Sequence, residues 1–156
     1  MKLINKENKL ELIIEDDLLN RLGEIAISHF PNEFGGFLMG YYSDDFKTLI
    51  VIDFVLPKKY KNSPIIFERS VEGIENEFER IFSERKIYYV GEWHSHPNGS
   101  TKNSGTDLNA MINTVACKTV QIKNPILLIL SVSKTKMMNY TFYYYEDNRL
   151  TPYEQN

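Results

Sequence analysis

The chain carries one cysteine, one tryptophan and three histidines in 156 residues. A lone Cys117 rules out an intramolecular disulfide and suits a reducing cytoplasm. Because it falls on the apolar side of a helix predicted over 104–118, it is expected to be a buried, inert thiol. Charge of one sign is not in excess. Eighteen Lys and Arg against 21 Asp and Glu leave a net charge of −3, with a pI near 5.7, and this argues against a nucleic-acid or anionic-membrane partner. Long hydrophobic runs are missing: the longest, 126–130, is far short of the roughly 20 residues of a membrane helix. Residues 1–8 have no apolar stretch ending in small residues, so no secretory signal is expected. Internal repeats and low-complexity segments are also lacking. What is present is 42% apolar and 25% charged residues in a chain long enough for one domain with a real core.

Periodicity gives the order of elements. Residues 9–15 alternate as a strand. Asp16 and Asp17 then start a helix on Leu18, Leu19, Leu22, Ile25 and Ala26, which Pro31 stops. His29 falls in its last turn, where the helix dipole favours an imidazole. Glu33 precedes Gly35 and Gly36, whose lack of side chains permits close approach of a neighbouring strand or of a ligand. A hairpin follows, turning at Ser43-Asp44-Asp45 into a strand over 49–56. The lysine- and proline-rich stretch 57–64 reads as a loop, either solvated or forming a substrate-facing rim. A short strand over 65–67 leads to a helix over 71–85 with Val71, Ile74, Phe78, Ile81 and Phe82 as its core stripe. Residues 87–92 form a strand, 98–103 a polar loop, 125–132 a buried strand and 138–145 a last strand. The domain is expected over 1–146, with 147–156 a poorly ordered polar tail. The class is α/β, a mixed sheet flanked by about three helices.

The chemistry concentrates at Trp93-His94-Ser95-His96-Pro97. Residues one apart on an extended chain project from one face, so His94 and His96 can grip one ion, and Asp107 follows eleven residues after His96. Two imidazoles and a carboxylate suit zinc and leave a fourth tetrahedral position open, as a catalytic rather than a structural site requires. The alternative is an unremarkable pair of histidines and an aspartate that only starts a helix. Ser104, three residues before Asp107, is either the N-cap of that helix or a hydrogen-bond donor to the site. Glu92 shares the histidines' face and is a rival base, a partner of the ligands, or a carboxylate at a strand end.

The pattern His94-Ser95-His96, seven residues, Ser104, two residues, Asp107 matches His-Ser/Thr-His-x7-Ser-x2-Asp at every defined position. Glu33-Phe34-Gly35-Gly36-Phe37-Leu38-Met39-Gly40 matches Glu-x-Gly-Gly-x-Leu-x-Gly. Together they resemble the JAB/JAMM (MPN-plus) metalloprotease family over about residues 10–145, and most closely its prokaryotic JAB branch, including the deconjugating peptidases of bacterial anti-phage CBASS operons.

The resemblance implies an MPN/JAB, cytidine-deaminase-like sandwich that binds one Zn2+ through His94, His96 and Asp107. It implies Glu33 as general acid/base and Ser104 as a transition-state donor, with Gly35, Gly36 and Glu92 contacting substrate. The implied reaction is hydrolysis after the C-terminal glycine of a ubiquitin-like protein or its conjugate. Partners would be a cGAS-like nucleotidyltransferase and an E1/E2-like protein, in the cytoplasm. Three other readings stay open: processing of a sulfur-carrier or ubiquitin-like precursor, a non-catalytic scaffold, and a DNA-repair role, the last disfavoured by the acidic charge.

Overall fold

In a computed structural model that describes residues 1–156, the chain forms eleven strands and three helices. They are β1 (Lys2–Asn5), β2 (Leu10–Ile14), α1 (Asp16–Ser28), β3 (Gly35–Tyr42), β4 (Thr48–Val55), β5 (Lys59–Asn62), β6 (Phe67–Ser70), α2 (Glu75–Arg85), β7 (Tyr88–Pro97), α3 (Gly105–Ala116), β8 (Ile126–Val132), β9 (Met137–Glu146), β10 (Arg149–Pro152) and β11 (Glu154–Gln155). Nine strands make one sheet in the order β10-β9-β8-β7-β3-β4-β2-β1-β11, while β5 and β6 form a separate hairpin. The sheet is mixed: β7 runs parallel to β8 and β2 to β4, and β3 is antiparallel to both of its neighbours. No helix is long and apolar enough to cross a membrane.

Strand alternation divides the core between two layers. On one face α1 buries Leu18, Leu19, Leu22 and Ala26 against Leu38, Leu128 and Leu130. On the other, Ile74 and Ile81 at α2 meet Phe37 and Met39, and Met111 of α3 meets Leu127 and Ile129. β8 is buried along its whole length, which explains its nearly continuous apolar sequence. Each such leucine or isoleucine contributes roughly 1.5–3 kcal/mol.

One irregularity aims the site. In the β3–β7 ladder Leu38 faces Gly91 but Met39 faces Tyr89, so Val90 is an extra residue on β7. The bulge lets Val90 and Trp93, three positions apart, both enter the α1 layer, and sets Glu92, His94 and His96 on the α2/α3 side.

Several expectations are corrected. Residues 147–156 are not a disordered tail: β10 pairs with β9 at one end of the sheet, and β11 pairs with β1 at the other. With only Tyr153 between these two strands, the sheet must curl until its ends meet. Asn5 Nδ2 reaches Thr151 Oγ1 at 2.8 Å across that seam, and Tyr153 is buried in the main core. β1 pairs with β2, so the first residues are also part of the sheet. The loop expected over 57–64 contains β5, and the strand expected at 65–67 lies at Phe67–Ser70, leaving Ile65 79% exposed. α2 starts at Glu75 rather than Val71, because Gly73 sits at φ +88, outside helical space. Val71 and Phe82 are consequently exposed members of the expected core stripe. Cys117 is exposed. The helix α3 stops at Ala116 rather than reaching 118, and Cys117 is its C-cap in extended conformation, past the last turn.

Candidate metal centre

β7 and α3 bring the three expected ligands together. His94 Nε2 lies 3.1 Å from His96 Nε2 and 3.0 Å from Asp107 Oδ1, and His96 Nε2 lies 3.6 Å from Asp107 Oδ2. Zinc bonds of about 2.0–2.1 Å at tetrahedral angles put ligand atoms roughly 3.3 Å apart. The two histidines face different oxygens of Asp107, and one donor atom from each of the three residues lies within 4.8 Å of the others, so these side chains can converge on one tetrahedral ion. The protonation pattern agrees. His96 Nδ1 lies 2.8 Å from Ser100 O; a carbonyl only accepts, so the ring proton is on Nδ1 and a neutral His96 keeps Nε2 bare toward Asp107.

Electrostatics around the three groups is that of a half-buried charged cluster. Burial holds the His94 imidazole below its usual value against the pull of Asp107, helped by the charges of His96 and Arg69. For His96 burial acts in the same direction, but hydrogen bonds to Asp107 and Ser100 and the negative charges of Asp107 and Glu33 outweigh it and raise it. Burial pushes the Asp107 carboxyl up, yet its bonds to both histidines and the Ser104 amide hold it far below the carboxylate range.

Glu33 sits in the turn before β3, and its carboxyl faces the same cluster. Burial pushes it up to about 7; the charge on His96 opposes this and that on Asp107 adds to it. Its backbone is held from two sides. Glu33 N–H donates to Ser63 O at 2.8 Å, and Asn62 Nδ2 donates to Glu33 O at 3.0 Å, both from the β5–β6 hairpin. The next residue, Phe34, donates its N–H to Ser95 Oγ at 3.1 Å and accepts from Ser95 N–H at 2.8 Å. Phe34 also stacks on His29 with ring centroids 3.6 Å apart and meets Tyr60 and Phe67 of the hairpin. His29 therefore serves as a packing residue at the α1 C-terminus.

Ser95 was not among the expected site residues, although its place between two histidines of one face marks it as the residue pointing the other way. It is fully buried and ties the Glu33 turn to the strand that carries His94 and His96.

Ser104 is the N-cap of α3: its Oγ accepts the Asp107 N–H at 3.1 Å, and the Asp107 carboxylate accepts the Ser104 N–H at 2.6 Å. Accepting through a lone pair leaves the hydroxyl proton for another partner.

The expected substrate contacts are placed differently. A Cβ on Gly35 would lie 2.0 Å from Trp93 O, and one on Gly36 2.7 Å from Val55 O. Both glycines thus make room for neighbouring strands. With β7 and β4 on its two sides, β3 offers no edge for an incoming peptide. Glu92 is buried and forms an ion pair with Arg69 of β6, and Tyr89 Oη donates to it at 3.2 Å. Its carboxylate is thus engaged by two internal partners. The ligands and Glu33 line a broad groove that runs past Ile65, Ile66 and Phe82.

Residues 15–143 match the family described as prokaryotic homologs of the JAB domain. A protein of Enterobacter hormaechei subsp. hoffmannii (strain UCI 50) named CD-NTase/cGAS isopeptidase is 30% identical over 120 residues, which is 76% of this chain and 66% of that protein. The chain thus spans just under two thirds of that relative's length. Among solved structures, a Desulfitobacterium hafniense protein superposes with a TM-score of 0.64 at 18% identity, over 92% of this chain and 90% of its own. A Salinibacter ruber protein gives a TM-score of 0.58 at 18% identity, over 91% and 87%. At that identity the two share the fold.

Proposed function

Because the chain belongs to the prokaryotic JAB family, we propose that it is a zinc-dependent peptidase acting after the C-terminal glycine of a ubiquitin-like protein. In this reading it releases that protein from a conjugate in a cytoplasmic anti-phage pathway. The observation that carries the proposal is the meeting of donor atoms of His94, His96 and Asp107 within 4.8 Å of one another beside a carboxyl, Glu33, pushed up to about 7. The relative named for a CD-NTase/cGAS isopeptidase supports a cGAS-like nucleotidyltransferase as the conjugated protein, with an E1/E2-like enzyme making the bond that this one reverses.

His94, His96 and Asp107 would hold the ion, which when bound supplies a Lewis acid that acidifies water and polarises a carbonyl. Glu33 accepts the proton of the attacking water and returns it to the leaving amine. A side chain whose proton affinity lies near ambient pH does both, and such acid–base catalysis is typically worth about 10²- to 10⁴-fold. Ser104 directs its free hydroxyl proton at the developing oxyanion while its lone pair keeps the helix cap. Ser95 and the β5–β6 hairpin fix the backbone from which Glu33 reaches the site.

The test is cleavage by zinc-loaded protein of two substrates, an isopeptide conjugate and a linear fusion of one ubiquitin-like protein, with wild type and Glu33→Gln. Cleavage of the conjugate that is lost on chelation, and falls at least 100-fold in Glu33→Gln with zinc retained, is expected. Cleavage of the linear fusion alone would assign the chain to precursor processing. No cleavage of either substrate by protein with stoichiometric zinc would refute the peptidase reading.

A further inference from the structure

The two strands of the β5–β6 hairpin are antiparallel, with Asn62 opposite Phe67 and Tyr60 opposite Arg69. Along β6, Phe67 and Arg69 are half-buried while Glu68 and Ser70 are exposed, so one face of the strand lies on the domain. At the tip end that face meets the Glu33 turn, through Phe67 against Phe34, Asn62 Nδ2 on Glu33 O and Glu33 N–H on Ser63 O. Two residues further on it carries Arg69, whose guanidinium pairs with Glu92 of β7 and donates to Thr114 Oγ1 of α3 at 3.3 Å. The side chains of the pair are 18% and 8% exposed. Glu92 Oε1 also takes the Tyr89 hydroxyl at 3.2 Å, and Thr114 is fixed to its own helix through Ala110 O at 2.9 Å.

Arg69 therefore joins three elements at once: the hairpin that grips Glu33, the strand that carries both histidines and the helix that carries Asp107. We infer that Arg69 is a positioning residue for Glu33, pinning the hairpin to β7 and α3 so that Glu33 is held at a fixed distance from the metal ligands. The same contact neutralises Glu92, which by strand alternation shares a face with His94 and His96 and would otherwise stand beside the ligands as an unpaired carboxylate. One feature favours arginine over lysine: a guanidinium keeps its charge when buried, and a single nitrogen, Nη2, meets both the Glu92 carboxylate and the Thr114 hydroxyl. The aromatic contacts of Phe34 reach Phe67 and Tyr60 of the hairpin, and such packing permits sliding that a directional ion pair does not.

This inference rests on the reading of Glu33 as the base, and its test separates the two. Amide exchange, zinc stoichiometry and steady-state cleavage are measured on the full chain for Arg69→Met, Arg69→Lys and the neutral pair Arg69→Gln/Glu92→Gln, which leaves no unpaired buried charge if the single variant fails to fold. In Arg69→Met the Glu33 amide, bonded to Ser63 O, is expected to exchange at least 10-fold faster. The Ser95 amide, bonded to Phe34 O inside the sheet, keeps its rate, and one zinc per chain is retained. kcat falls about 10- to 100-fold with KM changed less than 3-fold; Arg69→Lys recovers part of both the protection and kcat, and the neutral pair lies between. An unchanged Glu33 amide and unchanged kcat in Arg69→Met or the neutral pair would overturn the inference. So would equally faster exchange at Ser95, which marks a merely structural role. If Glu33→Gln keeps full kcat while Arg69→Met still frees the Glu33 amide, it is the assignment of the base that fails and the pinning that stands.

Discussion

Replacing Gly35 by alanine tests how the sheet builds the centre. An ideal Cβ there would lie 2.0 Å from Trp93 O, 2.8 Å from His94 Cα and 2.9 Å from His94 Cβ. Ordinary van der Waals contact begins at roughly 3.5 Å. The obstructing atoms are mostly backbone, and no side-chain rotation removes them. β7 must therefore retreat by about 1.5 Å at the residue paired with Gly35, which is His94 itself. That displacement takes ladder hydrogen bonds of about 2.9 Å out of range. Overpacking typically costs about 1–3 kcal/mol and each lost hydrogen bond about 0.5–1.5 kcal/mol, so a loss of roughly 2–5 kcal/mol is expected.

The displacement also reaches function. Sites of this kind need their side chains within about 0.5 Å of the productive geometry, and His94 would move with its strand. Zinc affinity should fall at least about 10-fold, as it does when the support of a ligand is disturbed. Urea unfolding of the metal-free protein and a zinc titration measure the two effects. Gly105→Ala is the internal comparison: its Cβ would meet nothing within 4 Å, and at the first residue of α3 alanine should be neutral or stabilise by up to about 1 kcal/mol. A Gly35→Ala protein that unfolds within 0.5 kcal/mol of wild type and titrates zinc identically would refute the placement of β3 against β7.

Two further outcomes are expected of the metal-free protein. Burial raises the folded Glu33 to about 7, above the unfolded carboxylate range, so between about pH 4.5 and 7 the native state holds more protons and this group's contribution declines as pH rises. Thermal melts in chelator should place Glu33→Gln above wild type at pH 8 and level with it near pH 4; a wild type that stays level with the variant at pH 8 would refute the buried carboxyl. Tyr153→Phe removes a buried hydroxyl that has no hydrogen-bond partner and should leave stability unchanged or raise it by about 1 kcal/mol, whereas Tyr153→Ala should cost about 3–5 kcal/mol. Equal losses in both variants, measured by urea unfolding, would show that the hydroxyl and not the ring secures the seam.

What could be read beforehand follows from the range over which each signal acts. Strand alternation and helical spacing are local, so β8, α1 and the shared face of His94 and His96 were legible from residues a few positions apart. The ends of elements depend on single residues of weaker signature. Gly73 moved the start of α2, and the end of α3 at Ala116 left Cys117 past its last turn. The corrections with most bearing on the site arise from contacts distant in sequence. Arg69 and Glu92 carry no mutual pattern, Gly35 and Gly36 gave no indication of which backbone would approach them, and Asn5 meets Thr151 across nearly the whole chain. The polar sequence of 147–156 concealed a structural role because its strands are short and only Leu150, Thr151 and Tyr153 pack inward.

The spacing of Ser104 and Asp107 has a folding reason as well as a chemical one. Positions N-cap and N3 of a helix are three apart, and a carboxylate at N3 reaches back to the N-cap amide while the N-cap hydroxyl takes the N3 amide. Both bonds are present here. They orient Asp107: Oδ2 is tied to Ser104 N–H at 2.6 Å, which fixes the rotamer and leaves Oδ1 3.0 Å from His94 Nε2 and Oδ2 itself 3.6 Å from His96 Nε2. The first turn of α3 thus sets a ligand before any ion arrives, at a helix end whose positive dipole itself favours a carboxylate. On the opposing strand Ser95 fixes the Glu33 turn by a hydrogen bond of 3.1 Å, and in the loop after it the Ser100 carbonyl fixes the His96 ring at 2.8 Å. Asp107, the His96 ring and the Glu33 turn are therefore each held by a hydrogen bond from outside the cluster, which would leave little reordering for an incoming ion to impose on them.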